Sequence, residues 1–202
     1  TDVNLKMSFY SYIDGIVCGY DVMISRTGYT GELGFEIYGN NNSIVSIWNE
    51  LVNAGAKPAG LAARDILRME MKYCLYGNDI DNTTNPIEAG LSWITALSKT
   101  DFIGREAISD VKEKGQSRKL IAFVMEERGI PRQGYEIFVD SKKVGLVTSG
   151  TQSPKLKIGI GLAYVNCPFH RVGQGIFIHI RNKFVPAKII NPPFIKGTSL
   201  HY

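Results

Sequence analysis

From Arg118 onward the chain is a succession of short apolar runs cut by turn residues, and this texture limits the fold more than any other feature. The runs cover 119–125, 135–139, 143–148, 158–165, 175–181 and 184–190, and Gly, Pro, Asn or Ser separates most of them. Regular short strands with turn signals predict a small sandwich or barrel.

The first part of the chain has a different rhythm. Runs at 7–12, 16–18, 20–25 and 34–38, separated by Gly or Asp, predict a β-meander. Residues 43–54 carry Ile44, Val45, Ile47, Trp48, Leu51 and Val52 at helical spacing, with Asn42 or Ser43 as N-cap and Gly55 beyond the end. A second helix is predicted over 61–71 and a third over 102–113, with a turn-rich stretch at 74–97 between them and a polar linker at 112–117. The expected division is a sheet-and-helix part over 1–115 and an all-β part over 116–202, an α+β organisation.

Composition narrows the function classes. Hydrophobic residues make up 44% of the 202 and charged residues 21%, the balance of a globular chain. No apolar run approaches the ~18 residues of a membrane span, and the opening residues lack the shape of a signal peptide. The net charge of +4 is spread along the chain, so neither nucleic acid nor a membrane is expected as a partner. Cys18, Cys74 and Cys167 are odd in number and widely spaced, which fits reduced thiols. His170, His179 and His201 show no metal-binding spacing, so no metal is expected.

Candidate chemistry begins at Ser25-Arg26-Thr27-Gly28-Tyr29-Thr30-Gly31-Glu32-Leu33-Gly34-Phe35-Glu36-Ile37. Three glycines between two apolar runs predict a strand, a tight turn and a second strand, with glycine supplying positive φ. No GxxxxGK[ST] follows, so this is not a phosphate loop. Glu36 alternates with Phe35 and Ile37 and is expected to face solvent or a cleft, where its two acceptor oxygens match a paired N–H edge such as that of an aminopyrimidine. The plain alternative is an exposed or ion-paired glutamate.

Arg64 falls in the first turn of the second helix, where the dipole disfavours a cation. A carboxylate would resolve the conflict, from Asp65, Glu36 or a ligand, and a structural ion pair serves as well. Arg68 and Glu70 are expected to be surface charges or intramolecular pairs. Tyr73, Tyr76 and Trp93 offer flat walls for a ring, although aromatics at such positions also belong to cores. Cys74 is expected to be a buried, inert thiol.

Several of these stretches resemble the aminomethyltransferase (T-protein) family of the glycine cleavage system. The glycine-rich run is one. Gly60-Leu61-Ala62-Ala63-Arg64-Asp65-Ile66-Leu67-Arg68-Met69-Glu70 is a second, and Cys74-Leu75-Tyr76-Gly77-Asn78-Asp79-Ile80 with Pro86-Ile87-Glu88-Ala89-Gly90-Leu91-Ser92-Trp93 a third. Phe102-Ile103-Gly104-Arg105-Glu106 is similar to the family's linker helix. The run from Gly145 to Lys157 is similar to a block of its C-terminal barrel.

The resemblance implies a folate-binding sheet-and-helix core followed by a small all-β barrel. It implies transfer of a methylene from an aminomethyl-lipoyl arm on H-protein to tetrahydrofolate, with release of ammonia. By position it implies folate contacts from Tyr29, Glu36, Arg64, Tyr73 and Trp93. The family's catalytic aspartate lies upstream of the glycine-rich run, and Asp2, Asp14 and Asp21 do not match its surroundings. The chain is therefore read as the C-terminal portion of such an enzyme, inactive alone, from a bacterial cytoplasm or a mitochondrial matrix. Three other readings share the resemblance: a folate-dependent demethylase of the sarcosine and dimethylglycine oxidising type, a folate-binding iron–sulfur maintenance protein, and a domain that has lost catalysis.

Overall fold

Two antiparallel β-systems organise the chain, one in each of two compact units. The computed structural model describes residues 1, 2, 4 and 6–201; of the three histidines, the His201 side chain lies outside the described residues. The first unit comprises residues up to Arg68 together with the C-terminal segment from Lys196, and the second runs from Met69 to Ile195.

In the first unit β1 (Tyr12–Val17), β2 (Tyr20–Ser25) and β3 (Glu36–Tyr38) form an antiparallel sheet in the order β1-β2-β3. The structure corrects the expected meander at its start. Asp14 and Gly15, read as a turn, lie inside β1 opposite Met23 and Val22. The turn is Cys18-Gly19, where φ is 52° and 81° and Val17 pairs with Tyr20. Two consecutive positive φ values match the right-handed twist of a two-residue hairpin, and this sets the register.

β2 and β3 pair from Ser25↔Glu36 to Met23↔Tyr38, so the glycine-rich stretch is a long loop over 26–35 rather than a tight turn. Of its three glycines only Gly31 takes a positive φ (79°).

Helix α1 (Asn41–Asn53) follows β3 directly. Its cap is Asn40, whose side chain accepts from the Ser43 backbone N–H at 2.9 Å, instead of Asn42 or Ser43. Asn40 has the extended backbone an N-cap requires, whereas Ser43 is buried and donates its hydroxyl to the Asn40 carbonyl. Ile47 on α1 packs with Val17, Val22 and Ile24 of the sheet to form the core of this unit. Helix α2 (Leu61–Glu70) comes next, and the boundary between the units falls within it, after Arg68.

In the second unit α3 (Arg105–Lys114) starts later than expected, because Gly104 is left-handed (φ 86°) and breaks the run from Phe102. Then come β4 (Arg118–Met125), β5 (Glu136–Val139), β6 (Lys142–Gln152), β7 (Gly159–Asn166), β8 (Gly175–Ile180) and β9 (Lys183–Ile190). They close into an antiparallel barrel in the order β4-β7-β6-β5-β8-β9, with β9 returning to β4. Of the two all-β forms the sequence allowed, the barrel is the one present.

Its interior is filled by Phe123, Ile137, Val144, Ala163, Ile178, Ile189 and their neighbours. Phe123 lies opposite Gly161 in the β4–β7 register, and a Cβ at Gly161 would stand 2.3 Å from the Phe123 ring. The glycine thus makes room for the largest apolar side chain of the core.

Candidate functional site

The loop over 26–35 is built by its own side chains. The Arg26 guanidinium lies 4.3 Å from the centre of the Phe35 ring and donates to the Gly34 carbonyl at 3.2 Å. The hydroxyls of Ser25 and Thr27 are 2.9 Å apart, and Thr27 donates to the Glu36 carboxylate in a short hydrogen bond. The far side of the loop is tied to the C-terminal segment: Leu33 N–H donates to Ser199 Oγ at 2.8 Å, and the Glu32 carboxylate accepts from the Ser199 backbone and hydroxyl. Sequence reading passed over Arg26 and Thr27. The signal available was two polar side chains beside glycines that cannot hold a loop themselves.

Glu36 is half-buried at the start of β3, bonded to Thr27. Arg64 projects from the first turn of α2 and stacks on Tyr29, its guanidinium 4.8 Å from the ring centre. This answers the conflict with the helix dipole in a way the sequence did not suggest. A tyrosine face, rather than Asp65 or Glu36, receives the cation. Among the described residues no carboxylate is ion-paired with Arg64. Asp65 is engaged by Arg68, whose Nε donates to it at 2.7 Å. Of the two expectations for Arg68, the intramolecular pair is the one present, and the residue is 1% exposed.

Tyr73 and Trp93 belong to the second unit. Tyr73 is half-buried and follows Lys72, whose backbone is left-handed (φ 61°) and whose amine is pushed below its ordinary pKa chiefly by burial. Trp93 sits in a 3-10 turn over Ser92–Ile94 and is largely exposed. Neither lines the cavity of about 450 Å³ beside β6 and β7, whose charged lining residues include Asp81, Arg118 and Lys143. The five predicted contacts therefore fall as one stacked pair (Tyr29 and Arg64) and a carboxylate (Glu36) in the first unit, and two rings in the second.

Near Tyr73 and Trp93 in sequence, polar residues of the motifs prove to be anchors. Asp79 is buried and accepts from Leu75 N–H at 2.9 Å, Thr148 Oγ1 at 2.5 Å and Ser149 Oγ at 2.8 Å, so it ties this segment to β6. Glu88 accepts two bonds from Arg118, at 2.9 and 3.0 Å, and one from Asn85 N–H. Burial raises the Glu88 pKa, but the bonds from Arg118 and Asn85 outweigh it and hold the carboxyl below its ordinary value. Glu70, expected at the surface or in a pair, is buried and accepts from Ser153 Oγ at 2.5 Å. Cys74 is half-buried beside Leu120 and Leu162, and none of the three cysteines is in a disulfide.

Of the aspartates near the start, one has a structural bond. Asp2 accepts from Ile16 N–H at 2.8 Å, Asp14 lies in β1 and Asp21 in β2. Among the described residues no group of three or more His, Cys, Asp or Glu could hold a metal ion, and no helix is long and apolar enough to cross a membrane.

Known proteins account for both parts of this architecture. Residues 1–99 match the family model described as the GCVT N-terminal domain, and residues 118–196 match the glycine cleavage T-protein C-terminal barrel domain. The class is a sheet-and-helix core continued by an antiparallel barrel. The chain belongs to the glycine cleavage T-protein family.

It is 51% identical over 203 residues to an aminomethyltransferase of Flavobacterium psychrophilum, covering 97% of this chain and 56% of that protein. With the aminomethyltransferase of Halothermothrix orenii it shares 47% over 200 residues, 96% of this chain and 56% of the relative. The crystal structure of glycine cleavage system aminomethyltransferase T from Bartonella henselae superimposes with a TM-score of 0.90 at 30% identity, covering 99% of this chain and 55% of that one. The chain thus spans little more than half the length of these relatives.

Proposed function

We propose that this chain is the C-terminal portion of an aminomethyltransferase of glycine cleavage. Its reaction moves a methylene from the aminomethyl-lipoyl arm of H-protein to tetrahydrofolate and releases ammonia. Residues 1–115 are read as part of the folate-binding core and 116–202 as the barrel. The compartment is a bacterial cytoplasm or a mitochondrial matrix. The observation that carries the reading is Arg64: a cation on the first turn of α2, stacked on Tyr29 and, among the described residues, paired with no carboxylate. A guanidinium held over a ring and lacking an acid partner is suited to receive a polar group of a ligand.

Tetrahydrofolate supplies the acceptor of the one-carbon unit when bound. In this reading Glu36 accepts from the paired N–H edge of the pterin, with Thr27 fixing one side of the carboxylate. Arg64 holds a polar group of the same molecule, and Tyr29, Tyr73 and Trp93 contribute ring contacts. None of these residues is proposed as the catalytic carboxylate, which is assigned to the family's N-terminal half, so the isolated chain is expected to lack turnover.

Titration with tetrahydrofolate tests the assignment. Glu36→Ala and Arg64→Ala are each expected to weaken binding by about 1–3 kcal/mol, the scale of a lost hydrogen bond to a charged group. Unchanged affinity in both variants, with the fold retained, would remove these residues from the site.

A further inference from the structure

One end of the barrel gathers cations that nothing else in its unit uses. The loop after β4, the loop between β6 and β7, and the β8–β9 turn surround a cavity of about 700 Å³. Arg128 and Arg132 reach it from the first, Lys157 from the second and Arg181 from the third. No acidic residue lines it, and among the described residues no carboxylate is ion-paired with any of the four. Glu126 and Glu127 precede Arg128 in sequence but do not line the cavity. Four unpaired cations around one concavity repel each other and focus a positive potential into it.

Two further observations show that the arrangement is built. The Arg128–Arg132 loop is pressed onto the barrel: a Cβ at Gly150 would stand 2.4 Å from the Pro131 carbonyl oxygen, and one at Gly159 would stand 2.3 Å from that of Gly129. Glycines on β6 and β7 thus let the loop backbone dock closely and hold its arginines at the rim. Lys157 and Arg181 also occupy left-handed backbone, with φ of 60° and 45°. Arg181 and Asn182 form the two-residue β8–β9 turn, where glycine or asparagine is the favoured residue at each place. Long cations therefore stand where turn chemistry favours a smaller residue, and strain of this kind marks functional positions. The apolar part of the lining comes from Tyr135, Ile130 and Ile180.

We propose that this basin binds a small organic polyanion, with two or more phosphate or carboxylate groups held by Arg128, Arg132, Lys157 and Arg181 and a flat or apolar portion resting on Tyr135. Three of the four cations are arginines, whose planar fork pairs with either kind of oxyanion. The inference does not depend on the folate assignment, because none of the residues in that assignment lines the basin.

The test is calorimetric titration of the 202-residue chain with ATP, pyrophosphate, adenosine and triglutamate. ATP is expected to bind saturably, pyrophosphate more weakly and adenosine not at all, with affinity falling as salt is raised. Triglutamate binding at the same residues would assign the anion as a polycarboxylate and keep the basin's role. Arg132→Gln and Arg181→Asn are each expected to weaken binding about fivefold or more, the scale of one charge-assisted bond. Arg181→Asn suits its turn, so the fold is retained, and Lys114→Gln, which removes one exposed cation elsewhere, should leave affinity unchanged. The proposal is overturned if none of the three polyanions binds saturably, or if both basin variants bind as the parent does, which would mean charge attraction without a site.

Discussion

The barrel and the sheet-and-helix unit solve the problem of burial differently. The barrel has no free strand edge, because β9 returns to β4, and its interior side chains from Phe123 to Ile189 are buried. The first unit has two sheet edges, at β1 and β3, and a core of four buried residues. Tyr12, Ile13, Val45 and Trp48 remain exposed on its β1 and α1. Closure gives one unit a self-contained core, whereas the other rests on a small cluster beneath an open sheet, and three of the five residues proposed to meet folate, Glu36, Tyr29 and Arg64, lie there.

This contrast can be broken at its strongest point. Phe123→Ala empties the centre of the barrel opposite Gly161, which has no side chain of its own to fill the space, and should cost about 3–5 kcal/mol in denaturant unfolding. Ile47→Ala removes the buried contact between α1 and its sheet. Its smaller cluster can collapse, so a cost near the low end of the range, about 2 kcal/mol, is expected, with the barrel's near-ultraviolet signal unchanged. A loss for Ile47→Ala equal to that for Phe123→Ala would erase the distinction between the units.

Asp79→Asn sharpens the comparison at the segment preceding the barrel. It replaces an acceptor of three hydrogen bonds with a group that accepts at one atom only, and about 1–2 kcal/mol should be lost. The smallest effect is that of pH at Glu88. Its folded pKa lies below the ordinary 4.5, so its stabilising contribution is complete above that value and is lost as pH falls through the folded pKa. Glu88→Gln should flatten this part of the acid unfolding curve, by less than about 1 kcal/mol because the pair is partly exposed to solvent.

The same contrast explains what was legible in the sequence. All six barrel strands lie within a few residues of their expected positions, because glycine, proline or asparagine marks their ends and their apolar runs face a closed interior. The start of the first sheet was not legible. Asp14-Gly15 looks like a turn but is held in β1 by pairing with β2, and of the run expected over 7–12 only Tyr12 belongs to the strand, whereas Gly19, expected between two runs, does lie in the turn together with Cys18. The glycine-rich run was recognisable, but not its shape, since side chains of Arg26, Thr27 and Glu32 fix that loop.

At the candidate site, residue types were legible and pairings were not. Nothing in the sequence ties Arg64 to Tyr29, since only the fold brings the two together. Asp79, Glu88 and Glu70 belong to the motifs that carry the family resemblance, yet each is committed to holding backbone or barrel in place. A motif match alone does not separate ligand contacts from anchors. Burial and a full set of hydrogen bonds do.

Hydrogen exchange across the chain, with and without tetrahydrofolate, tests the central claim most directly. The account predicts that folate slows exchange at 26–38 and 61–68, with a smaller effect at 72–93, and leaves β4 to β9 unchanged. Protection confined to the barrel, or none at folate concentrations that saturate a full-length relative, would contradict it.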